Sequence, residues 1–313
     1  MQAAVESVII IGAGAMGATY AGLFHAWNPQ GVAFLACGAR GERLARDGVV
    51  VNGKPCRLPV HPPDAVPQPA GLMLVAVKYH HLEQAIRDME HAVGDDTTIL
   101  SVMNGIDSEE RLGAAYGREK VLYAIALGMD AVRTGNRVTY HSPGKIIFGA
   151  GPNPIEEERI ARVKALFDLA GIVSEVADDM LRPLWWKFMI NVGINQASAV
   201  LHGSYQLFHT SPEARALMED AMREVMKVAG KLGVVLTEDD LNNWLEVLFA
   251  LNPNGKTSML QDVEARQKTE VDMLAGKVVE LGQRLGVPTP VNEKLLHQIK
   301  AIEASYLRAE GGS

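Results

Sequence analysis

The chain has 313 residues and a formal net charge of −7. A nucleic-acid-binding protein needs a concentrated positive surface to displace counterions, so this acidic balance argues against that class. Hydrophobic residues make up 48% and charged residues 21% of the chain, which is typical of a globular enzyme. Because domains usually have roughly 100–200 residues, the length predicts two of them.

The two cysteines, Cys37 and Cys56, are too few for a disulfide scaffold, and no C-x-x-C pair indicates a zinc site. We therefore expect no metal. The apolar run at residues 8–11 is too short for a secretory signal and leads directly into glycines. No apolar stretch approaches the roughly 20 residues of a membrane span. These features predict a cytoplasmic protein with no membrane partner.

The first part of the chain alternates short apolar runs with helical patterns, which is typical of βαβ units and of parallel strands covered on both faces. The predicted strands are Val5–Ile11, Val32–Ala36, Leu72–Val77, Thr97–Val102 and Val121–Leu127. Helices are predicted near 16–27, 82–92 and 107–115. The pair Asn52-Gly53 predicts a hairpin. Residues 138–140 and 145–148 are expected to be antiparallel strands that extend the edge of the same sheet.

After about Asp178 the strand patterns end and helical patterns dominate. We therefore predict an α/β N-terminal Rossmann-type domain with a mostly parallel sheet over residues 1–177. An all-α C-terminal domain for substrate binding and dimerisation is predicted over residues 178–313. Ser211-Pro212 marks one helix start, and one long helix is predicted over 258–285. The last three residues, 311–313, are expected to be a flexible tail.

The glycine loop, Gly12-Ala13-Gly14-Ala15-Met16-Gly17, fits G-x-G-x-x-G. It follows a predicted strand and opens a predicted helix, as a dinucleotide-binding loop requires. The first glycine permits a tight turn, the second lets a pyrophosphate approach, and the third lets the helix pack closely on the strand. The helix N-terminus offers N–H groups to the phosphates. Incidental glycines in an ordinary turn are the alternative.

The end of the second predicted strand indicates which dinucleotide is bound. An NAD enzyme usually has Asp or Glu there, whereas this chain has Ala36-Cys37-Gly38-Ala39-Arg40. The guanidinium groups of Arg40 and Arg43 suit a 2′-phosphate. The motif therefore favours NADP (NADPH) over NAD. That the two arginines are solvated surface residues is the alternative, and it remains open for Arg43.

Lys78 and Asn104-Gly105 each follow a predicted strand. Open α/β sheets bind ligands at the carboxyl ends of their strands, so both positions are candidates for ligand contacts. Asn-Gly is also common in turns, and position alone leaves both interpretations of Asn104 open.

A polar stripe interrupts the segment 184–195, which is otherwise apolar nearly all round and is predicted to be a buried helix. Lys187, Asn191 and Asn195 are spaced by four and share one face. An amine away from water needs partners, so the stripe predicts the floor of a polar pocket. Burial would also help the lysine to release a proton near neutral pH. A narrow solvent-facing edge is the alternative.

A carboxylate lies on the apolar stripe of the predicted helix over 258–285. Glu270 follows Val263 by seven residues and precedes Leu274 by four. A carboxylate on a core face requires a partner, and a lysine from another helix is the obvious one. A structural ion pair, or a helix bend that exposes Glu270, is the alternative.

Taken together, these motifs resemble the ketopantoate reductase (2-dehydropantoate 2-reductase) family over almost the whole chain. The pieces that carry the resemblance are Lys78, Asn104-Gly105, Trp186-Lys187 with Asn191 and Asn195, Ser258-Met259-Leu260-Gln261-Asp262 and Thr269-Glu270. The resemblance implies hydride transfer from NADPH to the carbonyl carbon of a small-molecule 2-oxo acid, first of all 2-dehydropantoate. A reductase of another small 2-oxo acid and a non-catalytic dinucleotide-binding sensor remain alternatives.

The resemblance also implies a role for each site residue. Lys187 matches the lysine that protonates the alkoxide, and Glu270 matches a carboxylate that orients this lysine or contacts cofactor and substrate. The implied substrate-binding residues are Asn104, Asn191, Asn195 and Ser258. The implied cofactor-binding residues beside the glycine loop and Arg40 are Lys78, Asn104, Glu270 and the backbone at Ala131. A homodimer is compatible with the sequence.

Three positions depart from the family pattern. Cys37 lies at the tip of the second strand, where many members have arginine. Gln196 stands where many members have proline. The segment 203–206 replaces an Asn-containing turn that reaches the substrate in some relatives. The first departure concerns the cofactor preference, and the other two concern the identity of the acid.

Overall fold

The computed structural model describes residues 7–152 and 155–310, with side chains through residue 306. The chain divides after Leu181 into two compact units. The first is an α/β unit and the second is helical, which confirms the predicted fold class. Residues 5 and 6 of the first predicted strand and the predicted tail at 311–313 lie outside the described residues.

The first unit combines strands with five α-helices among its described residues. Its strands are β1 (Val8–Ile11), β2 (Val32–Leu35), β3 (Val49–Val51), β4 (Lys54–Cys56), β5 (Val60–His61), β6 (Leu72–Val75), β7 (Thr98–Ser101), β8 (Val121–Met129), β9 (Val132–Thr134), β10 (Arg137–Thr139), β11 (Pro143–Gly149) and β12 (Ser174–Ala177). Its helices are α1 (Ala15–Trp27), α2 (Gly38–Asp47), α3 (Leu82–Asp88), α4 (Ser108–Tyr116) and α5 (Glu157–Leu169).

The main sheet has the order β12-β11-β8-β7-β6-β1-β2-β5. All neighbours pair in parallel except β8 and β11. Alternate residues of the central strands are buried on opposite faces, as Ile10 packs with Phe24 on one face and Ile11 with Leu82 on the other. This explains why β1, β2 and β6 are apolar at every position. Because Ile11 is in register with both Leu35 and Val75, the chain leaves β1, β2 and β6 at one edge.

A second, four-stranded sheet has the order β4-β3-β10-β9. The predicted hairpin is confirmed, and Asn52 (φ 46°) and Gly53 (φ 79°) both have left-handed backbone, as a tight hairpin turn requires. The prediction that residues 138–140 extend the main sheet is wrong. β10 pairs instead with β3 and β9, because the Asn52 side chain holds both the amide and the carbonyl of Tyr140, 88 residues away. β11 does extend the main sheet.

The second unit is built from helices. They are α6 (Leu181–Leu201), α7 (Tyr205–Thr210), α8 (Pro212–Lys231), α9 (Glu238–Ala250), α10 (Ser258–Glu264), a π-helical turn (Asp272–Gly276), α11 (Lys277–Leu285) and α12 (Pro290–Glu310). The predicted start of α8 is confirmed, since the Ser211 hydroxyl accepts a hydrogen bond from the Ala214 amide. None of the described helices combines the length and the apolar character of a membrane span.

The prediction of one helix over 258–285 is wrong. α10 ends at Glu264, and Arg266 has left-handed backbone with φ 53°. The break is held by Thr269, whose amide and hydroxyl both donate to the Glu303 carboxylate on α12, at 2.7 and 2.6 Å. Glu270 therefore lies in the break between two helices and not on a continuous helical stripe.

A buried polar network holds the face of α6 that bears Gln196. Gln196 is fully buried, and its Nε2 donates to the Val192 carbonyl and to Asn292 of α12. Asn292 in turn donates to Glu224 of α8. The Glu224 carboxylate also accepts the Val291 and Asn292 amides, and thereby caps the N-terminus of α12. These contacts fix α6 against two other helices of the unit.

Candidate functional site

The glycine loop has the geometry of a phosphate-binding turn. Gly12 has φ 103°, and a Cβ placed there would lie 2.4 Å from the Ala76 carbonyl oxygen. A Cβ on Gly17 would lie 1.8 Å from the Gly12 oxygen, so neither residue can be replaced without moving the backbone. A Cβ on Gly14 would meet nothing within 4 Å. Since Gly14 is also the N-cap of α1, a pyrophosphate could approach it and the unbonded amides of the first helical turn.

The tip of β2 leads directly into α2. Cys37 is the exposed N-cap residue of this helix. A Cβ on Gly41 would lie 2.8 Å from the Ala36 oxygen, so the first turn of α2 packs tightly on the end of the strand. Arg40 and Arg43 of α2 are both exposed. The parallel register places this tip at the same sheet edge as the glycine loop.

Two further basic residues lie in the electrostatic range of Arg40. Burial and the positive charge of Arg40 lower the pKa of Arg133 on β9. Burial, His80 and Arg40 lower the pKa of His81. We call Arg40, Arg133 and His81 the basic cluster. Sequence reasoning missed Arg133 because it lies in the small sheet, 93 residues after Arg40, and no motif marks it.

The loops after β6 and β7 carry Lys78 and Asn104. Lys78 is half-buried and precedes a single 3-10 turn. Asn104 is half-buried and is followed by Gly105, whose φ of 96° only glycine adopts readily. The Tyr79 hydroxyl donates to the Asp107 carboxylate at 3.1 Å, which links the two loops. Ala131 is half-buried, directly precedes β9 and packs on the core of the unit.

In the second unit, the polar stripe lies on α6 as the spacing predicts. Lys187 and Asn191 are half-buried, and Asn195 is only 7% exposed, so the stripe is not a uniformly solvated edge. The Asn195 Nδ2 donates to Asn191 Oδ1 at 3.3 Å. Asn195 Oδ1 accepts from the Ser258 hydroxyl at 3.2 Å and from the Met259 amide at 3.4 Å. The structure therefore joins Asn191, Asn195 and Ser258 in one hydrogen-bonded group.

The start of α10 is fixed against α6 by two residues that sequence reasoning missed. Thr257 caps α10 by accepting the Leu260 amide, and its hydroxyl is hydrogen-bonded to that of Ser198 on α6. Both side chains are buried. This pair positions the exposed Ser258 beside Asn195. Glu270 is half-buried and follows the anchored Thr269, and its carbonyl accepts the amides of Met273 and Leu274.

Within residues 7–152 and 155–310, no group of three or more His, Cys, Asp or Glu side chains is arranged to hold a metal ion.

Comparison with known proteins gives consistent matches. A profile of ketopantoate reductase PanE/ApbA matches residues 8–153, and one of the ketopantoate reductase PanE/ApbA C terminal matches residues 179–303. A 2-dehydropantoate 2-reductase of Aquifex aeolicus is 28% identical over 251 residues, covering 78% of this chain and 80% of the relative.

Solved structures share the fold. The crystal structure of a PanE/ApbA family ketopantoate reductase from Ralstonia eutropha JMP134 has a TM-score of 0.83 at 26% identity, covering 96% of this chain and 99% of that chain. The structure of D-mandelate dehydrogenase with NADH and anilino(oxo)acetate has a TM-score of 0.86 at 22% identity, with the same coverage.

Two alanine substitutions in the glycine loop should separate folding from ligand binding. In Gly17→Ala, the overlap with the Gly12 oxygen should lower the free energy of unfolding by about 1–3 kcal/mol, as overpacking usually does. Gly14→Ala should leave it within about 0.5 kcal/mol of wild type. Its methyl group should nevertheless weaken dinucleotide binding at least about tenfold, because it occupies the approach to the backbone. Urea unfolding and fluorescence titration with NADPH measure the two effects. Wild-type binding in Gly14→Ala would contradict the assignment.

Proposed function

We propose that this chain, which belongs to the ketopantoate reductase family, reduces the ketone of a 2-oxo acid, with 2-dehydropantoate as the first candidate. The family is one of oxidoreductases, and the matched profiles cover both units. The observation that carries the proposal is the polar face of α6. It presents the Lys187 amine one turn before Asn191, which is hydrogen-bonded through Asn195 to Ser258.

In the proposed reaction, a bound nicotinamide dinucleotide supplies the hydride that the carbonyl carbon accepts. The Lys187 ammonium donates a proton to the carbonyl oxygen as negative charge develops there, and its own charge stabilises that oxygen in the transition state. The amine regains a proton from water after the product has formed. Glu270 is proposed to orient the lysine or to contact cofactor and substrate, as the family resemblance implies.

The hydrogen-bonded group on α6 and α10 is proposed to bind the substrate. Two donors fix the Oδ1 atom of Asn195, and this holds its Nδ2 toward Asn191. The Oδ1 of Asn191 is thereby engaged, which directs its Nδ2 to the opposite side. The Asn191 amide held in this way can donate to a carboxylate oxygen of a small acid, and the Ser258 oxygen, whose proton is donated to Asn195, can accept from a substrate hydroxyl. In the first unit, Asn104 is proposed to contact the nicotinamide and the reacting carbonyl, and Lys78 and Ala131 the dinucleotide.

For the cofactor, we propose NADPH in preference to NADH. Cys37 stands where an arginine is common in the family, and the basic cluster supplies positive charge beside it. Arg133 is held in place by a hydrogen bond from its Nε to the Gly135 carbonyl, at 2.8 Å. Besides burial, the positive charge of Arg40 lowers the pKa of Arg133, so two like charges face one another here, and binding of an anion between them is favoured. A 2′-phosphate is the anion by which NADPH differs from NADH.

A reductase of a different small 2-oxo acid is the second candidate, and Tyr205 favours it. Tyr205 lies in the segment that departs from the family pattern, and its amide donates to the Gly255 carbonyl. A Cβ on Gly255 would lie 2.9 Å from the Tyr205 ring, so the ring packs closely on the loop that leads to Ser258. Gln196 is turned into the buried network with Asn292 and does not account for a change of substrate.

A substrate panel tests the proposal. Purified protein is assayed with 2-dehydropantoate and a series of 2-oxo acids that differ in side-chain size, each with NADPH and with NADH. The proposal expects the highest kcat/KM for 2-dehydropantoate with NADPH. A higher value for another acid would favour the second candidate. Dinucleotide binding without turnover of any acid would leave a dinucleotide-binding sensor.

Removal of the Lys187 amine should greatly lower the rate of the chemical step and change dinucleotide binding little. Lys187→Ala should lower kcat by about 10²–10⁴-fold, the usual effect of losing a general acid, with NADPH affinity retained. Steady-state kinetics and fluorescence titration measure the two quantities. Lys231→Ala, an exposed lysine on α8, is the matched control and should behave as wild type. Normal turnover in Lys187→Ala would remove this residue from the mechanism.

Arg40→Ala and Arg133→Ala should each weaken NADPH by about 10–100-fold, since a charge-assisted hydrogen bond to a phosphate contributes about 1.5–3 kcal/mol. NADH should change less than about threefold, because it has no phosphate at this position. Titrations with 2′,5′-ADP and 5′-AMP isolate the contribution of the 2′-phosphate. Arg46→Ala, at an exposed arginine on the same helix that is paired with Asp47, is the control. Equal weakening of both nucleotides would show that the cluster does not bind this phosphate.

A further inference from the structure

The first turn of α4 contains a buried carboxyl group that the proposed chemistry does not use. Glu109 is only 3% exposed, and a carboxylate at such a position requires hydrogen-bond donors. Its Oε2 accepts from the Ser108 hydroxyl at 2.8 Å. The carboxylate also accepts from its own amide and from that of Ala124 on β8. Glu109 thus fastens the start of α4 to a strand of the main sheet.

β7 is too short to pair with all of β8, so a backbone amide of β8 is left without a strand partner on that side. β7 pairs with β8 only through Ile99 with Val121 and Leu100 with Leu122, and β7 ends at Ser101. Ala124 lies two residues beyond Leu122, past the last pair of this ladder. Glu109 accepts its amide in place of a strand, which satisfies a backbone donor that would otherwise be buried without a partner.

Two serine hydroxyls extend this contact to the loop that carries Asn104. The Ser108 Oγ lies 2.9 Å from the Ser101 Oγ, and both side chains are buried. Ser101 Oγ also accepts the Met103 amide, at 3.4 Å. Because Ser101 ends β7 and Ser108 begins α4, their contact closes the base of the loop 102–107. Asn104 and Gly105 lie within this loop.

We propose that Glu109 is a positioning residue for Asn104, acting through Ser108 and Ser101 to hold the loop 102–107 in place. The inference rests on the proposed function of Asn104. Glu109 itself is not proposed to contact substrate or cofactor. When Glu109 is ionised, Met103, Ser101 and Ser108 can each donate to the next group toward the carboxylate. Hydrogen bonds that all run in one direction polarise one another and strengthen. Protonation of Glu109 removes the negative charge at the end of this chain, so the hydrogen bond from Ser108 is no longer charge-assisted.

The change between the protonated and the ionised form of Glu109 occurs near neutral pH. Burial raises the pKa of Glu109 to about 7, partly offset by the hydrogen bonds from Ser108 and the two amides. The other titratable or charged groups near it are Asp107, Glu110, Arg118 and Tyr123. Asp107 raises the pKa of Glu109 further, and a small cavity of about 50 Å³ borders Glu109, Glu110 and Tyr123. Burial itself opposes ionisation, but the hydrogen bond from Ser108 lowers the pKa and so favours the ionised carboxylate. This contact, and the loop that it holds, should therefore be firmer above pH 7 than below it.

Glu109→Gln in the full chain tests the proposal. The wild-type KM for the 2-oxo acid should fall as the pH rises through about 7, whereas the variant should lack this inflection. At pH 8 the variant KM should be about five- to tenfold higher, the equivalent of about one hydrogen bond. Its kcat should stay within about threefold, because Lys187 is untouched. Glu110→Gln, a change at the exposed neighbour on the same helix, is the control. A wild-type KM profile in Glu109→Gln would overturn the proposal.

A second variant and a readout without turnover separate this inference from the proposed function. Ser101→Ala keeps Glu109 but removes the link to Met103, and it should raise the KM in the same way. Hydrogen exchange measured by mass spectrometry should show faster exchange at residues 102–107 in both variants, with residues 184–195 unchanged. If the wild type reduces no 2-oxo acid, the proposed function fails, but this exchange still tests the positioning. Unchanged exchange at 102–107 in both variants would refute it.

Discussion

The parallel pairing of β1 with β2 and β6 is the constraint on which the first unit depends. The chain therefore leaves β1, β2 and β6 at the same edge of the sheet, so that the glycine loop, the tip of β2 and the loop after β6 share one edge. β7 pairs in parallel with β6 and adds the loop of Asn104. The chemistry assigned to these loops follows from the sheet, because residues far apart in the chain need no contacts of their own to share this edge.

The sequence predicted those elements whose structure is determined by residues close together in the chain. Short apolar runs predicted the central strands because both faces of this sheet are covered. The glycine spacing and the spacing of Lys187, Asn191 and Asn195 predicted a turn and a helical face, since each lies within a single element. The sequence could not predict the site of β10, because an asparagine 88 residues away fixes it. Arg133 and Glu109 were missed for a similar reason, as their neighbours come from distant segments.

The break after α10 is the clearest conflict between local and tertiary information. Apolar residues lie at helical spacing on both sides of it, and no proline marks it. The helix is nevertheless interrupted because Thr269 finds a carboxylate on α12 for both its amide and its hydroxyl. The Thr269 amide is thereby taken away from the intrahelical bond that a continuous helix would require. This distant partner decides where Glu270 is placed, and no periodicity in the segment indicates it.

The side-chain closure at the base of the loop 102–107 also bears on how such a chain can diverge. Two buried serine hydroxyls bridge the ends of the loop. Apex residues other than Gly105, whose left-handed backbone requires glycine, can therefore be exchanged at small cost to the sheet, whereas loss of either serine would remove the bridge at the base. Evolution of new substrate preferences in this fold could proceed by altering the tip while the two serines and the carboxylate behind them are retained.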